Sequence, residues 1–417
     1  MIQKAQHTAV YIHAEMDRKW LIEELLQGGV VQGFPRTNDE AIEVFSNITL
    51  QFFIKEELIH DRVQVATGFN TSLANASSGE QRKALINFIL SRQPAAIILD
   101  DVYESLDVQT RQWMLDTLSA IEDSVLLVQV FSRNADLLPF IDTIYLMENN
   151  EVDRIVDRQV FQTTNSRTLP ADNLARIPAP LHKFDVGEEA LVRMNEVSVV
   201  YNERPVLDRI CWEIKPGEFW QLKGTNGSGK TTLLTMITGD NPKAFGQDIY
   251  LFGRLKGSGE TVWEIKEKVG YFNPNMIRDF ERHDSVEQMI ISGFFDSVGL
   301  YIKPTEIQIK LAREWLSVLG LTSQRGQAFR LFPPGLQRMI LIARAMVKHP
   351  PLLILDEPTS GLDDESAILF TALVNKIAAE STTAIVYVSH RTEAGLQPQK
   401  IFQLTPGAQG STGSVTQ

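Results

Sequence analysis

The chain has 417 residues, 43% hydrophobic and 22% charged, with a formal net charge of -12 at pH 7. That length is enough for two domains with full cores. The acidic balance argues against a binder of duplex DNA or RNA, which needs concentrated Lys and Arg against phosphates. No apolar run approaches a membrane span, and the opening MIQKAQHTAV has none of the parts of a signal peptide. The expectation is a cytoplasmic protein, with any link to the inner face of the plasma membrane made through a partner. Cys211 is the single cysteine, so no intrachain disulfide can form, and beside Ile210 and Trp212 it reads as a small buried hydrophobe.

In chain order, a short apolar segment (AVYIH) precedes an amphipathic helical pattern through Trp20, Leu21, Leu25 and Leu26. Residues 27–40 read as a loop. Helical periodicity resumes at Ala41, Ile42, Phe45 and Ile48 and runs towards Leu58 and Ile59. ANASSGEQRKALINFIL is a polar glycine turn opening a helix, and AAIILDD is a buried strand ending in Asp100 and Asp101. A helix around Trp113 to Ile121 leads to a second buried strand, SVLLVQVF. The same order recurs later as VGYFN, a helical region from Ser285 to Leu321, LFPPGLQRMILIARAM, LLILDEP, a helix and AIVYVSH, so two copies of one unit are present. The predicted division is 1–162 for the first copy, 163–188 for a Pro-containing linker, 189–405 for the second copy and 406–417 for a disordered tail.

The chemistry concentrates at Gly224, Thr225, Asn226, Gly227, Ser228, Gly229, Lys230, Thr231 and Thr232, between an apolar run and Leu233, Leu234, Met236 and Ile237. A G-x-x-x-x-G-K-[ST] loop between a strand and a helix wraps backbone N–H groups round a phosphate chain, where side chains would obstruct. Lys230 is placed to reach the β and γ phosphates, and the Thr231 hydroxyl to ligate magnesium. LLILDEP then reads as a buried parallel strand delivering Asp356 and Glu357 at its end.

These residues resemble the ATP-binding cassette ATPases over nearly the whole chain. On that resemblance Gly224 to Thr231 is Walker A, Asp356 and Glu357 end Walker B, SGLDD holds the D-loop with Asp363, and YVSHR supplies the switch histidine His390. Tyr201, in VVYNERPVL, stands where the family stacks an aromatic ring on adenine. YNERPVL, GEFWQLKGTNGSGKTTLL, ITGD, LFGR, GSGETVWEIKEKVGY and SGFFDSVGLY are more narrowly similar to a tandem-cassette family described as linked to molybdenum transport and photorepair. The implied fold is α/β: two cassettes, each a mainly parallel sheet with flanking helices and a helical subdomain. ATP and Mg2+ are the implied cofactors, with the metal on Thr231 and Asp356, Glu357 polarising water and His390 on the γ-phosphate. A signature turn from the opposite cassette completes such a site, here Ala76, Ser77, Ser78, Gly79 and Glu80.

The departures from the family pattern are segregated. The first copy has no glycine loop; the chain is expected to begin at about the strand after it, as a truncated cassette whose sheet lacks a central strand. It has Asp101 in place of the catalytic glutamate and Ser132 in place of the switch histidine, while the second copy has Phe332, Pro333 and Pro334 in its signature. One working site is therefore expected. Asn273, Pro274 and Asn275 follow VGYF where the family has a glutamine, with Asn275 a shorter-reaching substitute or a plain loop residue. His7, His13, His60, His182, His283 and His349 lack metal-ligand spacing. Phe294 and Phe295 read as core before docking surface, and the basic residues of GRLKGSG as a solvated loop.

The resulting expectation is the ATPase of an importer, with molybdate as candidate cargo and membrane subunits on other chains. A soluble switch in regulation or DNA repair is the alternative. A tandem-cassette translation factor is disfavoured by the short linker and the acidic balance. Pairing of two chains is left open.

Overall fold

Segments such as AIILD and LLILD are apolar at nearly every position, the pattern of a parallel strand covered on both faces. The computed structural model describes residues 7–13, 16–31, 41–60, 63–67, 72–164, 174–182, 184, 190–280, 283–391 and 393–416. The chain forms two compact units, one of Met1–Leu169 with Gly361–Glu365 and the other of Pro170–Ser360 with Ser366–Gln417.

In the first unit the elements are β1 (Thr8–Tyr11), α1 (Arg18–Leu26), β2 (Ile42–Phe45), α2 (Asn47–His60), α3 (Ser78–Ser91), β3 (Ala96–Asp100), α4 (Val108–Ser119), β4 (Leu126–Phe131), β5 (Thr143–Glu148), β6 (Glu151–Asp157) and α5 (Arg158–Thr164). Their sheet runs β2-β3-β4-β1-β5-β6, parallel except for the β5–β6 hairpin. Strand alternation places Val10, Ile12, Ile98 and Val130 on one face with Leu21 and Leu25 of α1. Ala9, Tyr11, Ile97, Leu99 and Phe131 lie on the other face, with Leu85 and Ile89 of α3.

Two expectations for this unit are corrected. Its sheet keeps a central strand, because β1 pairs in parallel with both β4 and β5. The connection from β1 to α1, His13 to Asp17, carries no glycine. Ile42 and Phe45, read as helical, lie in β2, where pairing with β3 decides the conformation of four residues that suit either state. Part of the expected loop at residues 27–40 lies outside the described residues.

The second unit comprises β7 (Val192–Tyr201), β8 (Arg204–Ile214), β9 (Phe219–Gly224), α6 (Lys230–Ile237), β10 (Ile249–Leu251), β11 (Arg254–Leu255), α7 (Val262–Glu267), β12 (Val269–Phe272), α8 (Met276–Asp279), α9 (Val286–Ser292), α10 (Glu306–Val318), α11 (Pro334–Met346), β13 (Leu352–Asp356), α12 (Asp364–Glu380), β14 (Ala384–Val388), β15 (Lys400–Thr405) and β16 (Thr412–Thr416). One sheet runs β12-β13-β14-β9-β15-β16 and a smaller antiparallel one β11-β10-β7-β8. The sheets enclose a core in which Trp212 stacks on Phe402 with centroids 4.5 Å apart.

Four further readings change here. Cys211 is exposed, because β8 alternates and turns Ile210 and Trp212 inward instead. Lys256 of GRLKGSG is buried and pairs with Glu260 at 3.4 Å. Ile177 of the linker is buried, its N–H donating to Glu380 Oε2 at 2.8 Å, so part of 163–188 packs on the second unit; residues 165–173, 183 and 185–189 lie outside the described residues. Phe294 and Phe295 are half-buried.

A further change is at the carboxyl end, where the expected disordered tail instead forms β16, antiparallel to β15. Its Gly/Ser/Thr composition has the look of disorder, but the free edge of β15 supplies the missing partners. Ser411 N–H donates to Val206 O and Asp208 N–H to Ser411 O, both at 2.9 Å. Gly410 makes this approach possible with φ 107, and a Cβ there would lie 2.9 Å from the Leu207 carbonyl carbon. Gly410→Ala should therefore cost about 1–3 kcal/mol in denaturant unfolding. Hydrogen exchange should show Thr412–Thr416 protected in the parent and released in the variant; fast exchange in the parent would contradict the strand.

Candidate nucleotide site

β9 lies between β14 and β15 in the second-unit sheet and hands the chain to α6 through the glycine loop. Two loop glycines adopt left-handed backbone, Gly227 at φ 76 and Gly229 at φ 93. At Gly229 a Cβ would stand 2.6 Å from Leu207 Cδ2, so a side chain is excluded by conformation and by space. Ser228 is buried, and its Oγ has no hydrogen-bond partner. The Lys230 ammonium donates to Gly224 O at 2.9 Å and Thr225 O at 3.0 Å.

β13 carries Asp356 to the same end of the sheet. The next residue, Glu357, has φ 47 and fastens its N–H to Val388 O at 2.9 Å. His390 Nε2 is 3.3 Å from Glu357 Oε1. Asn226, Gly227, Gly229, Lys230, Thr231, Thr232, Asp356, Glu357 and His390 thus line one cleft of about 350 Å³. Burial pushes the Glu357 carboxyl up to about 7; Lys230 opposes this shift and Asp356 adds to it. Burial raises Asp356 as well, against the Tyr271 hydrogen bond and Lys230. Two half-buried neighbouring carboxylates with the Thr231 hydroxyl in the same cleft offer hard-oxygen donors that fit magnesium. The orphaned Ser228 Oγ and the Cβ-free loop fit a phosphate.

The other anticipated residues fall into place unevenly. Tyr201 lies outside the lining of the cleft; its OH donates to Asn241 Oδ1 at 3.1 Å and Lys243 Nζ lies 5.8 Å from its ring centroid. Asn273, not Asn275, connects towards the carboxylates: its Nδ2 donates to the Tyr271 hydroxyl, which donates to Asp356 Oδ2, both at 3.3 Å. In the first unit Ser77 caps α3, its Oγ accepting from Glu80 N–H while Ser77 N–H donates to Glu80 Oε2 at 2.8 Å. Gly79 is buried in the first turn of that helix. The corresponding start of α11 has Pro333 at the cap and Pro334 behind it, with no side-chain cap.

Sequence reading missed the arginines that tie each signature helix to the turn after its Walker B strand. Arg82 Nη1 donates to Asp101 O at 3.2 Å, and Arg338 Nη1 to Pro358 O at 2.7 Å. The preceding glutamines also match, Gln81 donating to Leu73 O and Gln337 to Phe329 O. The Gln-Arg pair repeated in both copies is the signal that could have found them.

The sequence profile of the ABC transporter family matches residues 207–360. The ABC transporter ATP-binding protein ModF of Escherichia coli (strain K12) is 38% identical over 328 residues, 76% of this chain and 67% of ModF. The chain belongs to the ATP-binding cassette family. An uncharacterised ABC transporter ATP-binding protein of Schizosaccharomyces pombe is 30% identical over 77% of the chain and 66% of its own length, so the chain spans about two thirds of each of these relatives. Among solved structures, the archaeal ribosome recycling factor aABCE1, in complex with stalk protein aP1, matches 99% of this cassette protein and 86% of its own chain with a TM-score of 0.61. At 13% identity that likeness is one of fold: two cassettes in one chain.

Gly229→Ala provides a local test of the loop. It should weaken ATP binding by at least about tenfold, because the loop must abandon φ 93 or displace Leu207. Calorimetric titration beside an unchanged thermal transition would confirm it; parental affinity would show that the glycine conformation is not needed.

Proposed function

We propose that this cassette protein hydrolyses ATP at a single competent site, in the second unit, and uses the cycle to energise or regulate transport through membrane subunits on other chains. The observation that carries the reading is the cleft itself, which gathers the glycine loop, two acidic residues and a histidine. None of the described helices is long and apolar enough to cross a membrane, so a transport role calls for partner subunits, with the ATPase on the cytoplasmic side. Molybdate is the cargo suggested by the resemblance of its motifs.

The chemistry assigned to the residues follows phosphoryl transfer, which is largely positioning and charge stabilisation. The loop N–H groups and Lys230, released from its own loop carbonyls, hold the phosphates. Thr231 and Asp356 would hold magnesium, which supplies the remaining charge neutralisation. Glu357 orients water and takes its proton, and His390, beside it at 3.3 Å, reaches the γ-phosphate. Tyr201 stacks on the adenine after leaving Asn241. A signature turn of the Ser77, Gly79 and Glu80 type, from this chain or a second copy, closes the site. Pro333 and Pro334 lack the N–H groups such a turn offers.

Glu357→Gln should bind one ATP per chain and lose turnover by about 10²-fold or more. Lys230→Ala should lose both, whereas Asp100→Ala should turn over as the parent does. Two ATP bound per chain, or equal losses from Lys230→Ala and Asp100→Ala, would sink the single-site reading. Co-purification with integral membrane proteins separates transport from a soluble regulatory or DNA-repair switch.

A further inference from the structure

The first unit repeats the strand, turn and helix of the nucleotide site with different charges at each position. β1 lies between β4 and β5 as β9 lies between β14 and β15, so Arg18, first residue of α1, stands where Lys230 stands as first residue of α6. Asp100 ends β3 opposite Val130, as Asp356 ends β13 opposite Val388. Asp101 has φ 43 and donates its N–H to Val130 O at 3.1 Å, matching Glu357 in both respects. Ser132, two residues beyond Val130, takes the place of His390.

The contacts then diverge. Lys230 folds back on its loop carbonyls, whereas Arg18 Nη1 lies 2.7 Å from Asp100 Oδ1 and 2.7 Å from Asp101 Oδ2. Its Nη2 donates to Ser132 Oγ at 3.1 Å. At the start of the same helix, Asp17 Oδ1 accepts from the N–H groups of Lys19 and Trp20 at 2.9 and 3.2 Å. A side-chain anion thus sits on the helix N-terminus, and a side-chain cation sits on the paired carboxylates.

We propose that Asp17 and Arg18 are built-in substitutes for phosphate and metal, which hold the first unit in one arrangement and keep nucleotide out of it. Two adjacent carboxylates with side-chain exposures of 7% and 15% repel each other unless a cation is shared between them. The guanidinium fork reaches both and a hydroxyl at once, which a lysine ammonium does less well. The restraint extends further, since Asp101 O accepts from Arg82 of α3 and Arg82 also pairs with Glu104 at 3.0 Å. Arg18 thereby fixes the helix that Ser77 caps, with no ligand involved. The inference goes beyond the single-site reading and stands whether or not the second unit turns ATP over.

The test is hydrogen exchange of the full chain without nucleotide, following peptides from residues 78–91 and 97–106. Arg18→Ala should speed their exchange about tenfold or more, with residues 219–237 unchanged. Replacing the charges together, as Arg18→Leu with Asp100→Asn and Asp101→Asn, should recover most of the protection. That neutral variant also decides the matter if Arg18→Ala does not fold: recovery of folding supports the substitution of charge, and failure overturns it. Parental exchange in Arg18→Ala would overturn it equally, as would binding of Mg-ATP at residues 97–106 in Lys230→Ala.

Discussion

Two acidic residues at the carboxyl end of a buried parallel strand are the constraint from which both units are built. The strand places them there because it is apolar along its length and ends at the carboxyl edge of the sheet. Their charge must then be met by something positive, since burial alone drives such groups towards the neutral form. The second unit meets it incompletely: Lys230 draws both groups down, yet Glu357 still sits at about 7. The first unit meets it from within, through one guanidinium shared by two carboxylates, although burial still raises both groups, Asp101 to about 7.

The glycine loop depends in turn on a strand from the far end of the sequence. Gly229 has no room for a Cβ because Leu207 lies against it, and Leu207 is held from the other side by the close approach of Gly410. Ser411 fixes that position by accepting from Asp208 and donating to Val206. The segment before β16 therefore sets the wall against which the phosphate loop is shaped. A contact of this kind joins residues too far apart in sequence for any local pattern to reveal.

Legibility from sequence followed the same division. Walker motifs were readable because phosphate chemistry imposes a short spacing on residue types, and the buried strands because an apolar run ending in acid has few alternatives. Where the outcome rests on a partner strand, composition misled: β2 read as helix, β16 as disorder, and the centre of the first sheet as missing. Arg18 was invisible for a related reason. Without the glycines there was no motif to mark the loop, and only the matching position of β1 in its sheet identifies Arg18 as the counterpart of Lys230. Asn273 and Asn275 were indistinguishable until the Tyr271 hydroxyl connected one of them to Asp356.

The two signature helices separate what folding requires from what binding requires. Ser77 and Glu80 satisfy the start of α3 with a reciprocal pair of hydrogen bonds. Pro333 and Pro334 start α11 without a side-chain cap, because proline is preset for the first helical turn and has no N–H to satisfy. Both helices form, and each is tied by its arginine to the turn after the Walker B strand. Both starts are thus compatible with a formed helix. For an anion they are not equivalent, since only the first keeps a hydroxyl and a run of N–H donors that a γ-phosphate could compete for. The proline start is thus compatible with a formed helix in a unit whose own sheet is complete.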